Sequence, residues 1–492
     1  MLFNSYIFIL LFLPLCLLGY FALNRLGRPK TALAFLLGMS LWFYGANMPV
    51  YLLLIVASIA VNYAFYLLSR RLSDGRARKA AKLAGVGLNL AVLFYFKYYD
   101  FFISTVNGIF GSDLTLKNIL LPLGISFFTF QQISFVIDAF HGEVGDCSLL
   151  EYACFVSFFP QLIAGPIVTH DELLPQLRDP ERKRFDPESF AKGVYIFAVG
   201  LAKKVLLADT LSPAVNAGWS AIAQGRWSLM NSTSCLIVML AYTLQMYFDF
   251  SGYSDMAIGI GKMFRIELPR NFDSPYKATS ITEHWKRWHM TLTRFLTKYV
   301  YIPLGGSRKG AGRTYLNVLI VYFLSGLWHG AGWTYVLWGL MHGLFSVLTR
   351  RFSKFFSSLP KALGWLITFT FINLGFIVFR APDLSQACAV IGRIFSFDFG
   401  PVYWRIAAGF DVSEVRTLLS AIPFPGSLAA SPVVLMVLIL SGMLLLVLLP
   451  KNAYEKMTEL RPTVTTLGFS VLLIVWCLFS FGKVSEFLYF NF

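Results

Sequence analysis

The stretch SGLWHGAGW, residues 325–333, sets His329 between a tryptophan and a run of small residues, inside a segment otherwise as apolar as lipid. A neutral imidazole in such a place can take a proton from a hydroxyl, the work of a general base. A second histidine, His289, lies in SITEHWKRWHMTLTRFLTKYVYIPLGG, residues 280–306. The segment LQMYFDFSGYSDMAIGIG (244–261) adds Asp249 and Asp255 to an apolar run that Gly252 is expected to break. Carboxylates within such a run either bind substrate, protons or cations, or lock the shape of a broken helix turn. Gln131, Ser134 and Asp138 share one helical face at i, i+3 and i+7, which suits a polar path or a hydrogen-bonded knot between helices. His342 follows His329 at a spacing that leaves it off the same face, and it reads as structural.

The elements that must hold these groups are membrane helices. Of 492 residues, 57% are hydrophobic and only 14% charged. With a mean hydropathy of +0.63, this composition belongs to a polytopic membrane protein. Apolar runs long enough to cross ~30 Å of hydrocarbon recur along the chain. The first has no basic residue before it and no small-residue cleavage site after it, so it reads as a retained span rather than a signal peptide. The six cysteines are scattered without C-x-x-C spacing, which argues against a disulfide framework or a metal site. The formal charge of +16 is assigned to orientation and to contact with anionic lipid or phosphate, not to nucleic acid.

Basic loops at 24–30 and 70–82 are separated by two apolar runs, so both can face the cytoplasm with the N-terminus outside. Further basic loops at 178–184, 262–313, 350–361 and 451–461 keep this register if 117–140 crosses and 149–168, with Pro160, Gly165 and Pro166, is re-entrant. The expectation is one all-α domain over residues 1–492, with ten to twelve crossings plus re-entrant and interfacial helices. The longest outward loop spans about 381–432.

Ser280 and Glu283 match a capping box that starts a helix near Ile281. Ile281, Trp285, Trp288, Leu292, Phe295, Leu296 and Tyr299 then form one stripe, with Lys286, Arg287, Arg294 and Lys298 opposite. Such a helix lies in the interface, with His284 and His289 on the shoulders of its apolar stripe. Between Arg313 and Arg350 the apolar stretch is too long for one span, so a break is expected at Gly330, Ala331 and Gly332, with His329 at its edge.

Taken together, YFDFSGYSDMAIG, ITEHWKRWH, YIPLGGSRKG and LSGLWHGAGWTYVLWGLMHG resemble the membrane-bound O-acyltransferases, specifically the bacterial branch of alginate O-acetylation membrane proteins. The LPLGISFFTFQQISFVID, FFPQLIAGPI and FLYFNF stretches extend the resemblance over nearly the whole chain. Lys286 and Ser307 depart from the arginine and asparagine usual in those motifs. The resemblance implies that His329 is catalytic, joined by His289. It implies acyl transfer, acetyl in this branch, from a cytoplasmic thioester such as acetyl-CoA toward a hydroxyl on the outer side, with no bound cofactor and no metal. It also implies a bacterial inner-membrane location. A periplasmic or membrane-anchored acetyltransferase is the implied partner, and a secreted polysaccharide the final acceptor.

Within that frame His289, Asn317 or a freed backbone N–H can stabilise the oxyanion or orient the acceptor. Asp249 is a further candidate for substrate binding. Arg308, Lys309 and Arg313 either attract the donor's phosphates or serve only as topology signals. A related branch moves D-alanine to teichoic acid, and the intramembrane acids leave a transporter or a flippase of a lipid-linked substrate as the alternative from another class.

Overall fold

The computed structural model describes residues 1–46, 48–73, 75–421, 431–483, 487 and 488. Every regular element among them is a helix, and several are long and apolar enough for a membrane protein. The chain divides into two compact units, one of residues 1–199, 253–270 and 457–478, the other of 200–252, 271–456 and 479–492.

The first unit holds α1 (Phe8–Arg25), α2 (Pro29–Gly45), α3 (Pro49–Arg71), α4 (Arg76–Phe110), α5 (Ile125–His141), α6 (Leu149–Ser157), α7 (His170–Arg178) and nearly all of α8 (Pro187–Ala202). Pro29 and Pro49 open their helices, where the missing N–H has no intrahelical partner to lose. The expected crossing at 117–140 shortens, because 117–124 are not helical and α5 covers only Ile125–His141. The 149–168 segment does not run as one span. At about 13 Å, α6 is under half the hydrocarbon thickness, and a short turn at Phe159–Leu162 follows it.

In α5, the residues of the polar face are all buried. Gln131 donates to the Phe155 carbonyl at 2.9 Å and Ser134 to the Gln131 carbonyl at 2.7 Å. Asp138 stands 3.3 Å from His170 Nδ1. The Gln131 and Asp138 contacts tie α5 to α6 and α7, as in a knot between helices, while the Ser134 bond stays within α5.

The second unit contains α9 (Asp209–Ala223), the first part of α10 (Ser232–Met263), α11 (Ile281–Arg287), α12 (Met290–Leu296), α13 (Gly310–His329), α14 (Trp333–Arg351) and α15 (Lys361–Arg380). Among the described residues, five helices are long and apolar enough to cross a membrane: α1, α3, α4, α10 and α15. Pro432–Leu448 and Ala453–Glu459, bent by 52°, make a sixth if the pair counts as one span. The other apolar runs are shortened or broken into shorter helices, so length alone does not confirm the ten to twelve crossings expected.

Two corrections bear on the site. Gly252 does not break its helix: α10 is continuous over 32 residues. A Cβ at Gly252 would stand 2.8 Å from the Gly200 carbonyl oxygen, so the glycine seats a close crossing instead. The interfacial helix expected from residue 281 onward is in fact two. It starts at Ile281 as expected, with Ser280 Oγ accepting from the Glu283 N–H at 3.2 Å. The returning arm of the capping box goes to Thr279, whose N–H and hydroxyl both donate to Glu283 at 2.8 and 3.0 Å. The apolar stripe faces inward as its spacing implies, with Lys286, Arg294 and Lys298 exposed.

The turn between α13 and α14 falls where the sequence placed it, with Gly330 and Gly332 in extended conformation. The two helices then pack back to back through glycine. A Cβ on Gly326 would lie 2.3 Å from the Tyr335 carbonyl oxygen, and one on Gly339 2.3 Å from that of Tyr322. Backbones this close exclude any larger side chain. Gly326→Ala is therefore expected to lower the thermal unfolding midpoint of the purified protein by the equivalent of about 1–3 kcal/mol. Gly312→Ala on the same helix, with open space around it, should leave the midpoint unchanged or raise it slightly; equal effects at the two positions would contradict this packing.

Candidate active site

His329 is the last residue of α13, and His289 stands between α11 and α12. Both are buried, at 2% and 0% exposure. Their ring centroids are 6.3 Å apart, so the fold brings together the two histidines that the sequence singled out 40 residues apart. The surroundings are aromatic. Trp328, Trp338 and Phe379 place rings 5.0, 4.9 and 5.5 Å from His329. Phe250 and Trp328 stand edge-on to His289 at 4.8 and 5.5 Å.

The break at His289 has a specific cause. Its backbone is left-handed, φ 45° and ψ 51°, a region that few non-glycine residues occupy. A continuous helix would bond Met290 N–H to residue 286 and Thr291 N–H to residue 287. Here both donors turn to Asn271. Met290 N–H reaches the Asn271 carbonyl at 3.0 Å, and Thr291 N–H reaches Asn271 Oδ1 at 3.3 Å. The Arg287 carbonyl accepts from the Asp273 N–H at 2.8 Å. Residues 271–273 thus replace the helical bonds that the interruption removes. Asn271 Oδ1 also accepts from the Thr291 hydroxyl at 2.9 Å and lies 3.2 Å from His289 Nδ1.

Neighbouring histidines do other work. His284 makes a 3.3 Å contact from Nδ1 to the Pro275 carbonyl. His342 Nδ1 accepts from the Trp285 indole N–H at 3.1 Å, which fits the structural reading of its position. Arg287, grouped by the sequence with the outward basic residues, is bound within the protein: it pairs with Glu283 at 2.9 Å and donates to the Asp273 carbonyl at 3.1 Å. Partial burial opposes the Glu283 charge, but the hydrogen bonds from Thr279 and Arg287 outweigh it and hold the carboxyl below its ordinary range.

Asn317 is not beside the histidines. It lies twelve positions before His329 on α13, about 18 Å along the helix, and it donates to the Gly306 carbonyl at 2.9 Å. That places it as a brace for the 302–309 turn, apart from the histidines. Arg308, Lys309 and Arg313 are exposed at the far end of α13, with Arg313 about 24 Å from His329 by helical rise.

Asp249 Oδ1 is 2.7 Å from Lys204 Nζ, and Lys204 also meets Asp209 at 2.9 Å. Asp249 Oδ2 accepts from the Leu488 N–H at 2.9 Å, so both of its oxygens are committed within the protein. Asp255 is buried in the other half of α10. Lys204 and Asn271 were not singled out from the sequence. Lys204, a lysine in the apolar run GLAKKVLLAD, carried the same signal as Asp249, whereas nothing in periodicity marks Asn271. Among the described residues, Asp138, His141 and Glu143 bring possible metal-ligand atoms within 4.8 Å of one another. Lys82 Nζ, 3.1 Å from His141 Nε2, already sets a cation there.

The buried Lys204 between two carboxylates predicts a stability effect. Lys204→Met leaves two acids uncompensated and should cost about 3–5 kcal/mol; thermal unfolding measures it. Lys204→Met combined with Asp249→Asn and Asp209→Asn should recover most of the loss. No loss in the single variant would deny the ion triad its structural role.

The chain matches the model of the membrane-bound O-acyltransferase family over residues 137–381. It is 41% identical over 421 residues to the peptidoglycan O-acetyltransferase of Helicobacter pylori, covering 80% of this chain and 79% of that protein. It is 38% identical over 434 residues to the probable alginate O-acetylase of Pseudomonas aeruginosa, covering 86% of this chain and 80% of that protein. A teichoic acid D-alanyltransferase of Bacillus subtilis is 26% identical over 289 residues, 55% of this chain and 71% of that protein. With similarity of this extent, the chain belongs to the membrane-bound O-acyltransferase family and is an acyltransferase.

Proposed function

We propose that this acyltransferase moves an acetyl group from a cytoplasmic thioester, acetyl-CoA, across the bacterial inner membrane for O-acetylation of an extracytoplasmic polysaccharide. The observation that carries the reading is the pair of buried imidazoles, His289 and His329, held 6.3 Å apart in an aromatic enclosure at two backbone breaks. Two rings at that spacing can reach one bound acceptor. The relatives named for peptidoglycan and alginate O-acetylation are more similar, over more of the chain, than the one named for D-alanylation, which favours acetyl over D-alanyl.

In the reaction, the acceptor hydroxyl oxygen forms a bond to the thioester carbonyl carbon as His329 takes the hydroxyl proton. The tetrahedral intermediate then collapses, the carbon–sulfur bond breaks, and the proton passes to the departing thiolate. A positioned base contributes typically ~10²–10⁴-fold to such a step. The enclosure of tryptophan and phenylalanine excludes water, the competing acceptor. Arg308, Lys309 and Arg313, exposed together at the opposite end of α13, suit the phosphates of the donor on the cytoplasmic side. Where the glycan is reached through a periplasmic or membrane-anchored acetyltransferase, the first acceptor hydroxyl is a carrier's. Its acetyl ester is then cleaved as the acetyl group moves to a glycan hydroxyl, the carrier hydroxyl taking back the proton. The threading that goes with this places the basic loops inside and the N-terminus outside, with ten to twelve crossings once broken helices are counted.

The test uses purified protein in proteoliposomes with labelled acetyl-CoA and candidate glycan or partner acceptors. His329→Ala should fold, because Gly330 and Gly332 still permit the turn, and should lose ~10²–10⁴-fold in transfer rate. A folded His329→Ala protein with undiminished transfer would refute the assignment.

A further inference from the structure

Asn271 accounts for more than the helix break. Its side-chain oxygen can be told from its nitrogen because it faces the Thr291 backbone N–H at 3.3 Å, and a backbone N–H can only donate. The same atom stands 3.2 Å from His289 Nδ1. Two lone pairs cannot share a hydrogen bond, so Nδ1 must be the nitrogen that carries hydrogen. Asn271, Thr291 and His289 are all buried, at 1%, 2% and 0% exposure, and full burial disfavours the doubly protonated cation. A neutral ring protonated at Nδ1 has its lone pair at Nε2.

We propose that Asn271 is a positioning residue for the reaction: by accepting from Nδ1 it fixes His289 in the tautomer whose Nε2 is an acceptor, so that His289 orients the acceptor by receiving a hydrogen bond from a group other than the reacting hydroxyl, whose one proton goes to His329. This builds on the acyl-transfer reading and chooses among the roles that the sequence left open for His289. The neutral ring has one N–H, which is committed to Asn271, so His289 has none to offer a developing oxyanion. Oxyanion stabilisation falls instead to other donors. The Phe250 and Trp328 rings, edge-on to the imidazole at 4.8 and 5.5 Å, oppose the ring flip that would replace Nδ1 by Cδ2 beside Asn271. Thr291, donating twice to Asn271 Oδ1, keeps the amide from turning its NH₂ toward the ring.

The first measurement is independent of activity. In protein carrying ¹⁵N-labelled histidine, reconstituted in lipid nanodiscs, the His289 signals are assigned by their loss in His289→Gln. The proposal expects the unprotonated, pyridine-type nitrogen to be Nε2; finding it at Nδ1 overturns the proposal whether or not the protein is an acetyltransferase. The second uses Asn271→Asp, which keeps the acceptor oxygen and adds negative charge beside Nδ1–H. An opposite charge at this range favours the imidazolium, so the acid limb of kcat against pH should move up by about one to three units. A merely structural asparagine would change yield or midpoint and leave that limb where it was. Asn271→Ala removes the support of the helix break together with the acceptor oxygen, so the decision rests on Asn271→Asp: a folded, active variant with an unshifted limb counts against the proposal. If His289→Gln retains full transfer while the wild-type tautomer is as expected, the acyl-transfer role of His289 fails and the tautomer assignment stands.

Discussion

A helix interrupted inside a protein's apolar interior must find new partners for the backbone groups it releases, since no water is at hand to take them. The arrangement around both histidines follows from that constraint. At His289 the released groups are Met290 N–H, Thr291 N–H and the Arg287 carbonyl, and residues 271–273 bind all three. At His329 the interruption is a glycine-flanked turn that lets α14 return against α13. Each break puts an imidazole at a helix end rather than along a helix face, and the two ends meet.

The supporting structure serves the same geometry in the second unit. Close approach at Gly326 and Gly339 sets how α13 and α14 cross, and therefore where His329 and Trp338 stand. The Lys204 ion triad ties α10 at Asp249, one residue before the Phe250 ring that packs on His289. Charges enclosed this fully are tolerated because each has an opposite partner at hydrogen-bond distance. Their contribution here is to place a helix, and the backbone bond from Leu488 shows the chain's terminal segment using the same anchor.

Much of this was legible in the sequence, and the limits have physical reasons. The helical class, the start of α11 at Ile281, the inward tryptophan stripe and the turn at 330–332 all follow from local pattern, cap chemistry or glycine placement. The break at His289 was not legible, because its cause is Asn271, distant along the chain and joined through backbone bonds that periodicity does not encode. Gly252 misled in the opposite direction: a glycine in an apolar run can mark a break or a close crossing, and only the neighbouring backbone at Gly200 decides. Asn317 shows another limit, because a buried asparagine near a reactive motif looks the same in sequence whether it serves substrate or a turn. The crossing count is not settled by apolar length, which does not distinguish a helix facing lipid from one enclosed by protein, as α5 is.

The central claim is that His289 and His329 act on the same chemical event. Single-turnover transfer rates for wild type, His289→Ala, His329→Ala and the double variant form a cycle that measures their coupling directly. If the two imidazoles serve one transfer step, the double variant should be about as slow as the slower single variant, far from the product of the two losses. Losses that multiply, as for independent sites, would contradict the account.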